Sequence, residues 1–103
     1  MIITNTTPYT KEEIKKVSME NKLILESLAS DLKRVALGLQ RGSNAMARRF
    51  LAEALQRKKE VHTKKIALYV KNILSRITLN LDAEDALMYS TLLQNYAKQI
   101  SIK

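Results

Sequence analysis

The chain has no cysteine, no tryptophan, one proline and two glycines. Without cysteine there are no disulfides, no thiol redox chemistry and no thiolate-held metal. The absence of such staples leads us to expect a reducing, cytoplasmic compartment. Pro8, Gly38 and Gly42 are the only strong breakers in 103 residues, too few to punctuate a series of short strands. His62 is the sole histidine, so one chain contains no histidine pair or triad. No run approaches the roughly 20 apolar residues of a transmembrane helix, and no integral membrane association is expected. Residues 1–10 carry no charged side chain and so lack the basic lead of a secretory signal. Acidic charge is scarce in one stretch: between Arg41 and Arg76 only Glu53 and Glu60 occur.

That same stretch holds Arg41, Arg48, Arg49, Arg57, Lys58, Lys59, Lys64, Lys65, Lys71 and Arg76. Its balance accounts for the whole net charge of +8, because the remainder of the chain is neutral. Charge so localised marks a surface that meets something anionic.

Helix formers dominate the composition, and the expected fold is all-α. The predicted architecture is an antiparallel helical bundle of four helices, a long first one followed by three shorter ones. Residues 1–9 read as a flexible N-terminal arm and residues 10–103 as a single helical-bundle domain. Thr10 predicts an N-cap, and Glu13 completes a capping box. The first helix then runs from Lys11 to about Leu39, with Ile14, Val17, Ile24, Leu25, Leu28, Leu32, Val35 and Leu39 spaced by threes and fours. Gly42 stops it and Gly38 frays its last turn. Asn21 interrupts the apolar stripe. Its two readings are a buried register-fixing group in a helix pair and a rim position. The first helix is almost twice as long as the others, so a compact bundle leaves part of its stripe bare. Ile14, Val17, Asn21, Ile24 and Leu28 are the candidate self-association surface of a homodimer.

Ser43 or Asn44 caps the second helix. No glycine or proline separates it from the third, so propensity alone allows one fused, kinked helix. At ~100° per residue, however, the apolar stripe of residues 46–61 and that of residues 66–77 are offset by about 120°. One straight helix cannot turn both to a single core, which predicts a break within Val61–Lys65 with Thr63 as a new N-cap. Asp82 caps the fourth helix, Ala83 to about Lys98, with Glu84 and Asp85 in its first turn. Its expected core face is Ala86, Leu87, Leu93, Tyr96, Ala97 and Ile100, with Met46 and Met88 as core filler.

Chemistry-bearing arrangements are sparse. Glu84 and Asp85 point about 100° apart on a helix and do not converge as a catalytic pair does; capping explains them. The glycines match neither phosphate-loop pattern. His62, at the predicted break, reads as a solvated side chain. We therefore expect a non-enzymatic protein with no cofactor and no metal.

The basic stretch has a bland reading, in which Arg49–Glu53, Glu53–Arg57 and Glu60–Lys64 pair at i, i+4 and long stems cover apolar edges. Against it stand Arg41, Arg48, Lys58, Lys59, Lys65, Lys71 and Arg76, which have no acidic neighbour at helical spacing. The candidate anion or nucleic-acid contacts are Arg48, Lys58, Lys59, Lys64, Lys65, Lys71 and Arg76, gathered near the break. No zinc finger, leucine-zipper basic region or RNA-binding aromatic signature accompanies them. A helix-turn-helix lacks its turn glycine. Two partner classes follow: nucleic acid, contacted by a regulatory or accessory factor, and an acidic protein, docked by an interaction module. An anionic membrane surface is a third, weakened by the missing tryptophan.

Overall fold

A computed structural model describes residues 10–100; the arm expected over residues 1–9 lies outside them. Among the described residues the chain is all-helical and has no strand. Four α-helices follow in order: α1 (Lys11–Gln40), α2 (Asn44–Lys58), α3 (Leu68–Arg76) and α4 (Ala83–Gln99), with a 3-10 turn at Thr63–Lys65 between α2 and α3. α1 packs against both α2 and α4, and α3 touches α4.

The ends of α1 are built as the sequence predicts. The Thr10 hydroxyl accepts from the Glu13 amide at 3.2 Å, and the Glu13 carboxylate accepts from the Thr10 amide at 3.0 Å. The two backbone donors satisfy each other's side chains in a closed capping box. At the far end Gly42 takes φ 74, the left-handed region glycine tolerates best. Ser43 N donates to Gly38 O and Gly42 N to Leu39 O, the paired bonds of a Schellman stop. Gly38 does not fray the helix. It is buried, and a Cβ on it would lie 2.8 Å from the backbone nitrogen of Ala47, so its role is to let α1 and α2 touch.

The core runs along α1 through Leu25, Leu28, Leu32 and Val35, all essentially inaccessible to solvent, and continues into Ala54, Val70, Ile77, Ala86, Leu93 and Ala97. Each fully buried leucine stabilises the fold by about 1.5–3 kcal/mol. Polar atoms inside are matched. Ser90 Oγ donates to Ala29 O at 2.6 Å, and Lys22 Nζ donates to Ala97 O at 2.9 Å at the end of α4. α1 is thus stitched to α4 at two points.

Several expectations are corrected. α2 and α3 are separate, as the offset stripes require, but α3 begins at Leu68 rather than at Thr63. Its N-cap, Ala67, has no side-chain cap of its own; the Ala67 amide donates instead to the Tyr96 hydroxyl at 3.0 Å. α3 ends at Arg76. On α4 the expected Ala86, Leu93 and Ala97 are buried and Tyr96 and Ile100 pack against the core, but Leu87 and Met88 are exposed, and Tyr89 and Ser90 are buried in their place. The bare portion of α1 is shorter than its length implies. Burial reaches down to Val17, and Lys11 to Lys16 form an unbroken exposed run; the His62 segment and the end of α4 meet α1 at Glu20, Asn21 and Lys22.

Candidate anion-binding site

The break between α2 and α3 is held by an unexpected residue. Asn21, only 1% exposed, accepts from the His62 backbone N–H at 2.8 Å and donates to the His62 carbonyl at 3.2 Å. Both halves of its amide are spent on one peptide segment, which satisfies a polar group that burial would otherwise penalise. Lys65 N also donates to His62 O, at 3.1 Å, closing the 3-10 turn. The polar interruption in the first stripe was visible in sequence. Its partner, 41 residues away, was not.

Above this clamp lies an open depression of about 270 Å³ lined by Val61, His62, Thr63, Lys64 and Lys65. The His62 ring points its Nε2 at Glu20 Oε1, 3.3 Å away, on the side facing a second depression formed with Glu13, Lys16 and Val17. The opposing acids are therefore Glu20 behind the imidazole and Glu60 just before the turn.

The predicted cations divide by what the fold uses. Lys58 is not a free surface charge: Nζ donates to Ile77 O at 2.8 Å and to Leu74 O at 3.2 Å, the latter also accepting from Ile77 N, and its charge complements the negative C-terminal end of α3. Arg57 pairs not with Glu53 but with Asp31 of α1, at 2.7 Å. Burial raises the Asp31 pKa, and the hydrogen bond and charge of Arg57 work against that rise. Glu60 and Lys64 do not share a helix, since α2 stops at Lys58. Arg49 does face Glu53, at 3.9 Å between exposed groups. Its guanidinium also lies over Phe50, as does that of Arg34 on α1, with guanidinium-to-ring distances of 5.3 Å for Arg34 and 5.4 Å for Arg49.

Arg48, Lys59, Lys64, Lys71 and Arg76 remain exposed, and among the described residues none of their side chains is tied by an ion pair or hydrogen bond. They do not form one cluster. Lys64 and Lys65 share the turn, Arg48 rides on α2 and Lys59 is its C-cap, and Arg76 lines a groove between α3 and α4 with Tyr69, Ile73, Met88, Tyr89 and Leu92. Of the candidate self-association residues, Val17, Asn21 and Leu28 are buried within the chain, Ile24 is half-buried and Ile14 is 42% exposed.

Among the described residues no helix is long and apolar enough to cross a membrane, and no group of three or more His, Asp or Glu side chains is placed to hold a metal ion. Compared with known proteins, the chain matches no family model, no curated protein and no solved structure.

Proposed function

We propose that this protein is a non-enzymatic accessory or regulatory factor that contacts nucleic-acid phosphates through its basic stretch. One observation carries the reading: after the fold has consumed Arg57 and Lys58, the cations Arg48, Lys59, Lys64, Lys71 and Arg76 still stand exposed and untied among the described residues. Unneutralised charge of one sign on a small domain draws a polyanion by releasing its counterions. The helices are read as an antiparallel bundle, supported by the pairings Lys22–Ala97 and Ala29–Ser90, in which position rises along α1 as it falls along α4.

The test is a salt titration with random-sequence duplex and single-stranded oligonucleotides. Log affinity should fall linearly with log salt, and each phosphate contact removed by changing Lys59, Lys64 or Lys71 to Ala should reduce the duplex slope by about 0.9. Absence of binding at low ionic strength overturns the proposal.

A second reading, an interaction module for an acidic protein, is favoured by the α3–α4 groove of about 280 Å³. Tyr69 and Met88 are each 48% exposed there, beside Arg76. Apolar side chains left open next to an unneutralised arginine suit an amphipathic acidic segment. Self-association through α1 belongs to this reading, and light scattering of the full chain decides it.

A further inference from the structure

The turn at Val61–Lys65 differs from every other cationic position in the molecule. Elsewhere exposed cations also sit side by side, as Lys15–Lys16, Lys33–Arg34 and Arg48–Arg49 do, but these pairs project from helical surfaces. Here two adjacent lysines, a hydroxyl and an imidazole line one concavity, and the backbone beneath is fixed from a separate helix. Asn21 grips both the N–H and the C=O of His62, and the Lys65 N–H closes back onto the same carbonyl. Thr63 and Lys64 are therefore bracketed by restrained backbone on both sides. Ordering a loop around an anion costs conformational entropy; a loop ordered in advance has already met that cost. The volume, about 270 Å³, is below the roughly 300–1,000 Å³ of pockets for drug-sized ligands, which suits one charged group of a larger molecule, or one small ion. Lys59 adds positive potential nearby, and Glu60 is the nearest acid in sequence, with Glu20 occupied at His62.

We propose that this turn seats a single phosphate group, contacted by Thr63 and Lys64 with Lys65 at its wall, and that Asn21 is the positioning residue which holds the seat in shape. The phosphate is a backbone phosphodiester or free phosphate. Only the first source rests on the nucleic-acid reading above.

The experiment uses the full 15N-labelled chain, titrated at constant ionic strength with inorganic phosphate in one arm and a short random oligonucleotide in the other. The seat predicts saturable amide shifts centred on Thr63–Lys65 in the phosphate arm. Lys64→Ala with Lys65→Ala should weaken phosphate binding at least tenfold, Thr63→Val severalfold, and Lys71→Ala less than twofold. Asn21→Ala should weaken it severalfold. In that background Lys64→Ala should cost less than in the parent, a coupling that a purely structural asparagine does not produce. If Asn21→Ala fails to fold, Thr63→Val and the double lysine variant still decide the seat. Shifts that never saturate, or that the double variant leaves unchanged, overturn it. Oligonucleotide binding centred on Arg48 and Lys71 overturns the seat and spares the nucleic-acid reading. Saturable phosphate binding at the turn without oligonucleotide binding sustains the seat and overturns that reading.

Discussion

Asp31 on α1 and Arg57 on α2 are joined by a 2.7 Å hydrogen bond from Nε to Oδ2, with the Asp31 side chain 4% exposed and the Arg57 side chain 38% exposed. The pair is lopsided. Removing the half-exposed arginine leaves a largely buried carboxylate without its hydrogen-bond partner. Arg57→Ala should therefore destabilise the fold by about 1–3 kcal/mol, less than the loss of a partner from a wholly buried pair. Replacing both residues, Asp31→Leu with Arg57→Met, should cost less than Arg57→Ala alone. Chemical denaturation of the three variants measures the order.

The same pair sets a pH dependence. Burial lifts Asp31 above its ordinary value of 3.8, against the opposing pull of Arg57. Between the ordinary and the raised value the native state holds more protons at this site than the unfolded chain. The contribution of Asp31 is therefore complete below the ordinary value and is lost as pH rises through the raised one. Glu13 works in the opposite sense: its backbone and side-chain hydrogen bonds with Thr10 lower its pKa, so its share is lost as pH falls. Subtracting the pH–stability curve of Asp31→Asn from that of the parent isolates the first effect, which should slope downward with rising pH.

Neighbouring lysines should behave differently. Lys58 donates to two carbonyls at the end of α3, whereas Lys59 is exposed and untied. Lys58→Ala should cost about 1–2 kcal/mol of stability, from lost charge-assisted hydrogen bonds and an uncapped helix end. Lys59→Ala should leave thermal unfolding nearly unchanged and lower only oligonucleotide affinity. Thermal melts run beside the salt titration separate the two.

The two glycines should fail for different reasons. At Gly38 a Cβ would meet the Ala47 backbone, at 2.8 Å from N and 3.1 Å from Cα. Gly38→Ala should thus push α1 and α2 apart and cost about 1–3 kcal/mol, despite the better helix propensity of alanine. Gly42 has open space around it but a φ of +74, so Gly42→Ala should cost about 1–2 kcal/mol from backbone strain alone. Gly42→Asn should recover much of that loss, and no such rescue should exist at Gly38. Urea unfolding of these three variants and of Gly38→Asn checks this.

The Tyr96 hydroxyl accepts the Ala67 amide at the start of α3, while its ring meets Tyr69 edge-on at 5.8 Å. Tyr96→Phe keeps the ring contact and removes the acceptor. A loss of about 1 kcal/mol is expected, with hydrogen exchange accelerated at Ala67 more than in α1.

Local signals in the sequence translated well into local structure. The Thr10–Glu13 box, the Gly42 stop and the Asp82 cap are encoded within a few residues of where they act. The phase jump between the stripes of α2 and α3 was equally readable, because periodicity is a property of consecutive residues. Long-range partners were not legible. Nothing near Arg57 says that Asp31 outcompetes Glu53, and nothing near Lys58 says that its ammonium reaches Ile77. Asn21 was conspicuous in its stripe, but only the folded chain shows that it grips a loop of its own molecule. The core face of α4 was misjudged at Leu87 and Met88 because two adjacent apolar pairs, Leu87–Met88 and Leu92–Leu93, leave the phase of a short amphipathic helix ambiguous.

The bond from Lys22 to Ala97 spans 75 positions. On the ribosome, at about 5–20 residues per second, some 4–15 s separate synthesis of the two residues. During that interval α1 can close on α2 while its other flank, including Leu25 and Ala29, waits for a partner not yet made. The emergence of α4 is therefore what ends the exposure of that flank of α1 to chaperones and to aggregation.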